Sequence, residues 1–216
     1  MIPFIIGVAG GTGSGKTTLT RNIIETLRRM PISVVRADWY YRDQDDIPLD
    51  ERRGANYDHP DALEHSLLIQ HLKDLRRGQQ VMTPRYNFHT HTRLPNQEAL
   101  EPTPVVIVEG ILLFAVPELR DQFDLKIFVQ TDSDLRLLRR LKRDTAERGR
   151  SLENSLQQYL DTVRPMHLTF VEPSKLHADI IIPASHPNEK AINMVVDMIH
   201  RRADRQKRKK SKISQK

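Results

Sequence analysis

A three-layer α/β domain around a central parallel sheet is the fold class this 216-residue sequence predicts, on three observations. Short β-branched apolar runs recur at Phe4–Ala9, Ile32–Ala37, Val105–Val108, Leu125–Val129 and Ile180–Ile182. They are nearly continuous, the pattern of strands buried on both faces of a parallel sheet. Amphipathic helical stretches lie between them: Leu19, Ile23 and Leu27, ended by Pro31; Leu63, Leu67 and Leu68; Leu135, Leu138 and Leu141; Ile192, Val195 and Met198. Such alternation implies crossovers over the sheet faces, expected to be right-handed. The third observation is a glycine-rich turn directly after the first run.

That turn reads GGTGSGKTT and matches G-x-x-x-x-G-K-[ST] at Gly10, Gly15, Lys16 and Thr17. Gly10, Gly11, Thr12, Gly13, Ser14 and Gly15 can curl tightly enough for their N–H groups to converge on phosphate oxygens. The following helix, opening near Thr18, adds its positive end. Lys16 is placed to reach the β and γ phosphates and the Thr17 hydroxyl to ligate Mg²⁺. A nucleoside triphosphate such as ATP or GTP is thus the expected cofactor, and the fold is of the P-loop NTPase type. No glycine follows an aspartate by three residues, the sequence NKxD is absent, and only four glycines follow Gly15. These absences argue against GTPases and ABC-type ATPases and leave a small-molecule phosphotransferase.

The length suits one large-core domain, assigned to residues 1–203. With no cysteine, a disulfide framework and a thiolate metal site are excluded. The absence of a basic leader, and the interruption of the longest apolar stretch by Glu109 and Gly110, set the expectation of a soluble cytoplasmic protein without membrane contact. The net charge of +6 is concentrated: residues 201–216 carry nine Lys/Arg and one Asp, a local +8, which leaves about −2 for the body. Residues 204–216 are expected to be a disordered basic tail. Its lack of aromatic side chains for base stacking makes nucleic acid an unlikely partner beyond a weak contact.

Three segments carry candidate chemistry. Asp38 and Glu109 each end an apolar run, where parallel sheets place their ligands, with the Asp38 strand expected next to the phosphate-loop strand. Asp38 suits either a general base or a turn cap, and Glu109 suits a Mg²⁺ contact through water. The polar, aromatic segment Val81 to Leu94 reads as a hairpin inserted beside the sheet. Thr131 to Arg150 reads as a helix opened by Thr131 or Asp132 and closed at Gly149. Its Arg136, Arg140 and Arg143 form a cationic face, with little acid among the arginines, that a lid over about 132–150 would turn onto phosphates. In ANYDHPDALEH, Asp58 suits either the cap of a helix begun by Pro60, with Asp61 as partner, or a substrate contact.

From about Phe4 to Met198 the chain resembles the uridine kinase (uridine–cytidine kinase) family. The resemblance rests on GGTGSGKTTL, the Asp38–Tyr41 block, NYDHPDALEH, YNFHTHTR, VEGILL, RRLKRDTAERGR, QQYLDTVRPMHLTFVEPSK and HADIIIP. It implies phosphorylation of the 5′-hydroxyl of uridine and cytidine, with Asp38, Lys16 and Arg143 in catalysis and Thr17, Glu109 and Asp38 around Mg²⁺. It places Asp58 and Arg140 on the ribose, Tyr41 beside the nucleoside, and Tyr86, Phe88 and His91 around the base. Gln158 lines that pocket, and Arg148 and Arg150 face the phosphates together with Arg143. A homo-oligomer, a tetramer, is the family's habit. By strand alternation His91 points away from Tyr86 and Phe88, so a turn must intervene if all three touch one base. Trp39, Asn87, Gln130 and the Ala184-Ser185-His186 loop depart from the family pattern. Rival readings are a related kinase for phosphoribulose or pantothenate, and a nucleotide-dependent RNA-binding protein acting through the tail.

Overall fold

The computed structural model describes residues 2–28 and 30–213, with side chains as far as Asp204. Five strands, β1 (Phe4–Ala9), β2 (Ile32–Arg36), β7 (Val105–Gly110), β8 (Leu125–Gln130) and β9 (Ile180–Pro183), form one parallel sheet in the order β2-β7-β1-β8-β9. Every residue of β1 and β7 is buried, as the unbroken apolar runs require. The sequence places the Asp38 strand beside β1. Here β7 lies between them, with Arg36 opposite Glu109 and Ala9 opposite Gly110. A crossover skips a strand without any local sequence mark. Both carboxylates nonetheless emerge at the sheet's carboxyl edge.

Alternate strand residues feed two cores. On one face Ile6, Val8, Ile107 and Ile127 pack with Leu19 and Ile23 of α1 (Lys16–Thr26) and Ile192, Val195 and Ile199 of α9 (Glu189–Ile213). On the other, Ile5, Val106, Val108 and Phe128 pack with Leu68, Leu72 and Leu75 of α3 (His65–Arg76). Full burial of each such leucine stabilises the fold by about 1.5–3 kcal/mol. Between β2 and α3 lies the short α2 (Leu49–Gly54), and α4 (Pro117–Arg120) precedes β8.

Several local expectations change. Leu63 precedes α3 and bridges Tyr41 instead of joining its apolar stripe. Met198 is exposed on α9, where Ile199 takes the core position. Helix α1 ends at Thr26, with Leu27 as its cap, so Pro31 lies four residues beyond the cap. The insertion reaches past Leu94: β3 (Val81–Thr83) pairs with β6 (Glu98–Leu100), and the tighter β4 (Tyr86–Asn87) pairs with β5 (Thr92–Arg93) inside it. The residue-204 boundary falls within α9, which continues to Ile213; residues 214–216 lie outside the described part.

The largest reversal concerns α5 (Ser133–Glu147). Leu138 is 62% exposed and Leu135 and Leu141 are half-buried, while Arg136, Arg140 and Asp144 are buried. After α5, the helical segment from Leu152 contains α6 (Leu152–Gln158), α7 (Arg164–Met166) and α8 (Glu172–Ser174), separated by π-helical turns at Tyr159–Val163 and His167–Val171. Each π turn ends just before a proline-containing turn, at Pro165 and Pro173. A wider turn there absorbs the amide that proline cannot donate.

Candidate active site

The glycine-rich loop leaves β1 with Gly10, Gly13 and Gly15 at φ of 146°, 71° and 96°. These are values that side chains with a Cβ rarely adopt. Gly11 and Gly13 are also pressed against Arg136, so the loop is clamped under the first turns of α5. Ser14 is fully buried behind the loop, where its carbonyl accepts from Thr131 Oγ1 at 2.9 Å. Lys16 Nζ folds back onto the Gly10 and Gly11 carbonyls, at 2.9 and 3.0 Å. Burial lowers the Lys16 ammonium to about 8, against the opposing pull of Asp38 and Glu109. Thr18 follows on the exposed side of α1.

At the end of β7, Glu109 is buried beside this loop. Thr17 Oγ1 donates to its Oε1 at 3.3 Å, and Arg36 Nε lies 3.4 Å away. Burial raises the Glu109 carboxyl, with Lys16 and Arg36 pulling the other way, and among the described residues Oε2 has no hydrogen-bond partner. Hydroxyl and carboxylate oxygens with an unpaired acceptor suit a hard divalent cation such as Mg²⁺. Among the described residues no cluster of three or more His, Cys, Asp or Glu could hold a metal by itself, so phosphate oxygens and water would complete its shell.

Two clefts meet here. The loop-side cleft is lined by Lys16, Thr17, Arg36, Trp39, Glu109 and Gly110. Its neighbour is lined by Tyr41, Tyr57, Asp58, Tyr86, His91, Arg140, Arg150 and Gln158. Thr12, Asp38, Phe88, Ile111, Arg143 and Arg148 line both. Every base- or ribose-facing residue expected from the sequence therefore lies around one cavity. Arg150 does not reach the loop-side cleft, whereas Arg148 does.

Local structure explains how these residues converge. His59, not Asp58, caps the single turn Pro60–Ala62, its Nδ1 accepting from the Asp61 amide at 3.2 Å; Asp58 is left facing the cavity. Burial raises the Asp58 carboxyl, while Arg140 draws it down and Asp38 pushes it up. In the hairpin, Asn87 Oδ1 accepts from the His89 amide at 2.9 Å, and the turn closes with His91 at φ 55°. That left-handed residue brings His91 to the same side as Tyr86 and Phe88. Tyr57 stacks on His91 at 4.9 Å between ring centroids and meets Tyr41 edge-on at 5.2 Å. Burial and four arginines, Arg150 foremost, lower the His91 imidazole to about 4, so it is neutral near pH 7, with one donor and one acceptor.

Of the α5 arginines Arg136 and Arg140 are buried and Arg143 is half-buried, and the strip is not free of acid. Asp144 lies fully buried behind them, with Arg143 on its Oδ1 at 3.0 and 2.8 Å and Arg140 Nε 3.3 Å from Oδ2. Arg140 also reaches Thr12 Oγ1 at 3.3 Å and Gln158 Oε1 at 2.8 Å, and Arg150 shares the Gln158 acceptor.

A two-cleft site joined at one carboxylate, with a phosphate loop on one side, is the layout of a phosphotransferase. The sequence model of the Phosphoribulokinase / Uridine kinase family matches residues 5–191. The chain belongs to this family. It is 52% identical over 197 residues to a uridine kinase of Chloroflexus aurantiacus, covering 91% of this chain and 94% of that one. A uridine kinase of Staphylococcus epidermidis is 50% identical over 195 residues, with 90% and 94% covered. The fold matches that of a phosphoribulokinase from Rhodobacter spheroides, with a TM-score of 0.64 at 17% identity over 84% of this chain and 70% of that one. As a kinase, the protein uses a nucleotide phosphate donor.

Sequence reasoning about this kinase missed Tyr57, Ile111 and Asp144. Tyr57 stands next to Asp58 in a quoted motif and Ile111 directly follows VEG, so position alone could have flagged both. Asp144 sits inside the strip read as carrying little acid among its arginines.

Of the departures, Trp39 lies at the loop-side cleft with Arg85 and Arg36 over its ring, at 4.1 and 5.2 Å. The Gln130 carbonyl accepts from the Ala184 amide at 2.8 Å, and Ser185 Oγ donates to Asp132 at 3.0 Å. The Ala184 loop is thereby tied to the start of α5. Among the described residues no helix is long and apolar enough to cross a membrane.

Proposed function

We propose that this kinase transfers the terminal phosphoryl group of ATP or GTP to the 5′-hydroxyl of uridine and cytidine, directly and without a covalent enzyme intermediate. The observation that carries the reading is the position of Asp38, on the wall shared by the loop-side and ring-lined clefts. A sugar seated in the second cleft would present its primary alcohol to Asp38, which takes the proton as the oxygen attacks. The loop amides, Lys16 and Arg143 neutralise the phosphates and the charge spreading over the transferred group, with Arg148 beside them. Thr17, Glu109 and Asp38 would hold Mg²⁺, which when bound draws charge off the phosphates.

Asp58 has two carboxylate oxygens for a vicinal diol, and Arg140 supplies a second sugar contact. Tyr86, Phe88 and His91 enclose the ring, Tyr41 closes the cavity beside it, and Gln158 fixes Arg140 and Arg150. This polar and aromatic cavity favours a nucleoside over the smaller acceptors of related kinases. The reading includes a single kinase domain with α5 as its lid element, and a homo-oligomer of family type.

A panel of uridine, cytidine, deoxyuridine and adenosine with ATP or GTP and Mg²⁺ tests the proposal. Turnover of the two pyrimidine ribonucleosides is expected. Asp58→Ala should erode the preference for uridine over deoxyuridine by about 10²-fold, the scale of a lost hydrogen bond to a charged group. A parent enzyme inactive on every pyrimidine ribonucleoside would overturn it.

A further inference from the structure

The geometry points to Asp144 as the positioning residue that aims Arg143, and with it Arg148, at the donor phosphates. This rests on the phosphoryl-transfer reading above and goes beyond it. Asp144 lines neither cleft and is fully buried, yet four guanidinium groups surround its carboxylate. Arg143 binds Oδ1 through two nitrogens, at 3.0 and 2.8 Å, and Arg140 lies 3.3 Å from Oδ2. Arg148 and Arg150 stand further off, at 3.6 and 3.9 Å. The backbone joins in: the Arg150 amide donates to the Asp144 carbonyl at 3.1 Å, across a turn whose Gly149 takes a φ of 64°.

Four cations within reach of one another repel unless a counter-charge lies among them. Asp144 supplies it from behind, so the donors not spent on it face the cleft. Burial by itself would raise its carboxyl, but Arg143, Arg140 and Arg148 outweigh burial and hold it below the usual carboxylate range. It therefore stays ionised at every pH at which a kinase of this type is assayed. Arg140 and Arg150 have a second tether in the Gln158 amide. Arg143 has no other protein partner named above, and so depends on Asp144 most.

The role separates from a merely structural one by its kinetic signature. Asp144→Asn keeps the shape and makes the cleft more cationic, so affinity for a polyanionic donor is retained while the aim of the arginines is lost. With uridine and ATP, kcat is expected to fall about 10²-fold, the scale of an ångström-sized misplacement, while the KM for ATP stays the same or falls. In an Arg143→Lys background the same substitution should cost under about threefold, because its effect acts through Arg143. Asp144→Glu, which keeps the charge and moves it by one methylene, should lose about tenfold with its melting temperature little changed. If circular dichroism shows the Asn variant unfolded, the Glu variant decides on the same criterion. A kcat within threefold of the parent, a raised KM at unchanged kcat, or fully multiplicative losses with Arg143→Lys would overturn the inference. A parent that fails to phosphorylate uridine sinks the substrate reading instead, whereas an active parent with an unaffected Asp144 variant sinks only this one.

Discussion

Helices α1 and α5 flank the same phosphate loop and obey opposite rules. Helix α1 turns Leu19 and Ile23 into the core and, Thr20 apart, its polar residues outward, as an amphipathic helix does. Helix α5 turns Arg136, Arg140 and Asp144 inward and leaves Leu138 at the surface. Burying charge carries a desolvation cost that only mutual pairing offsets, so α5 adds less to stability than its length suggests. What it supplies is a wall of fixed donors. One helix holds the sheet together, and the other shapes the cleft.

The contrast can be broken most sharply from the α5 side. Arg140→Met should lower kcat/KM for uridine by about 10²- to 10³-fold, with the loss of melting temperature softened by the three guanidinium groups that Asp144 keeps, since removing one partner of a buried pair is most costly where the other charge is left uncompensated. Steady-state kinetics beside thermal melts would show this, and a large loss of stability with little loss of activity would reverse the assignment. Smaller, and of the opposite kind, is the effect expected in α1. Ile23→Ala should cost about 2–5 kcal/mol in denaturant unfolding, with kcat per folded molecule unchanged. Leu138→Ala, on the exposed side of α5, should then stay within about 0.5 kcal/mol by the same measurement.

The same contrast explains what the sequence discloses. Strands β1 and β7 and the loop after β1 announce themselves locally, because continuous β-branched runs and closely spaced glycines have few other uses. Asp38, Glu109 and the hairpin aromatics were legible as strand ends and motif residues, and the two adjoining clefts gather them. Helix α5 was read with the wrong face inward. An apolar stripe normally marks the core and a row of arginines normally marks water, so nothing local singles out Asp144. The pairing of Val81–Thr83 with Glu98–Leu100 was hidden because a short polar strand carries little apolar signal. The two π turns have no sequence mark beyond the prolines that follow them.

The central claim is that phosphate loop and acceptor pocket meet at one carboxylate. Asp38→Asn tests it most directly, assayed with uridine, ATP and Mg²⁺ alongside a uridine binding measurement. The account predicts a fall in kcat of about 10³-fold, within the range for loss of a general base, with uridine affinity changed less than about threefold. A variant that keeps more than about a tenth of the parent's turnover would contradict it.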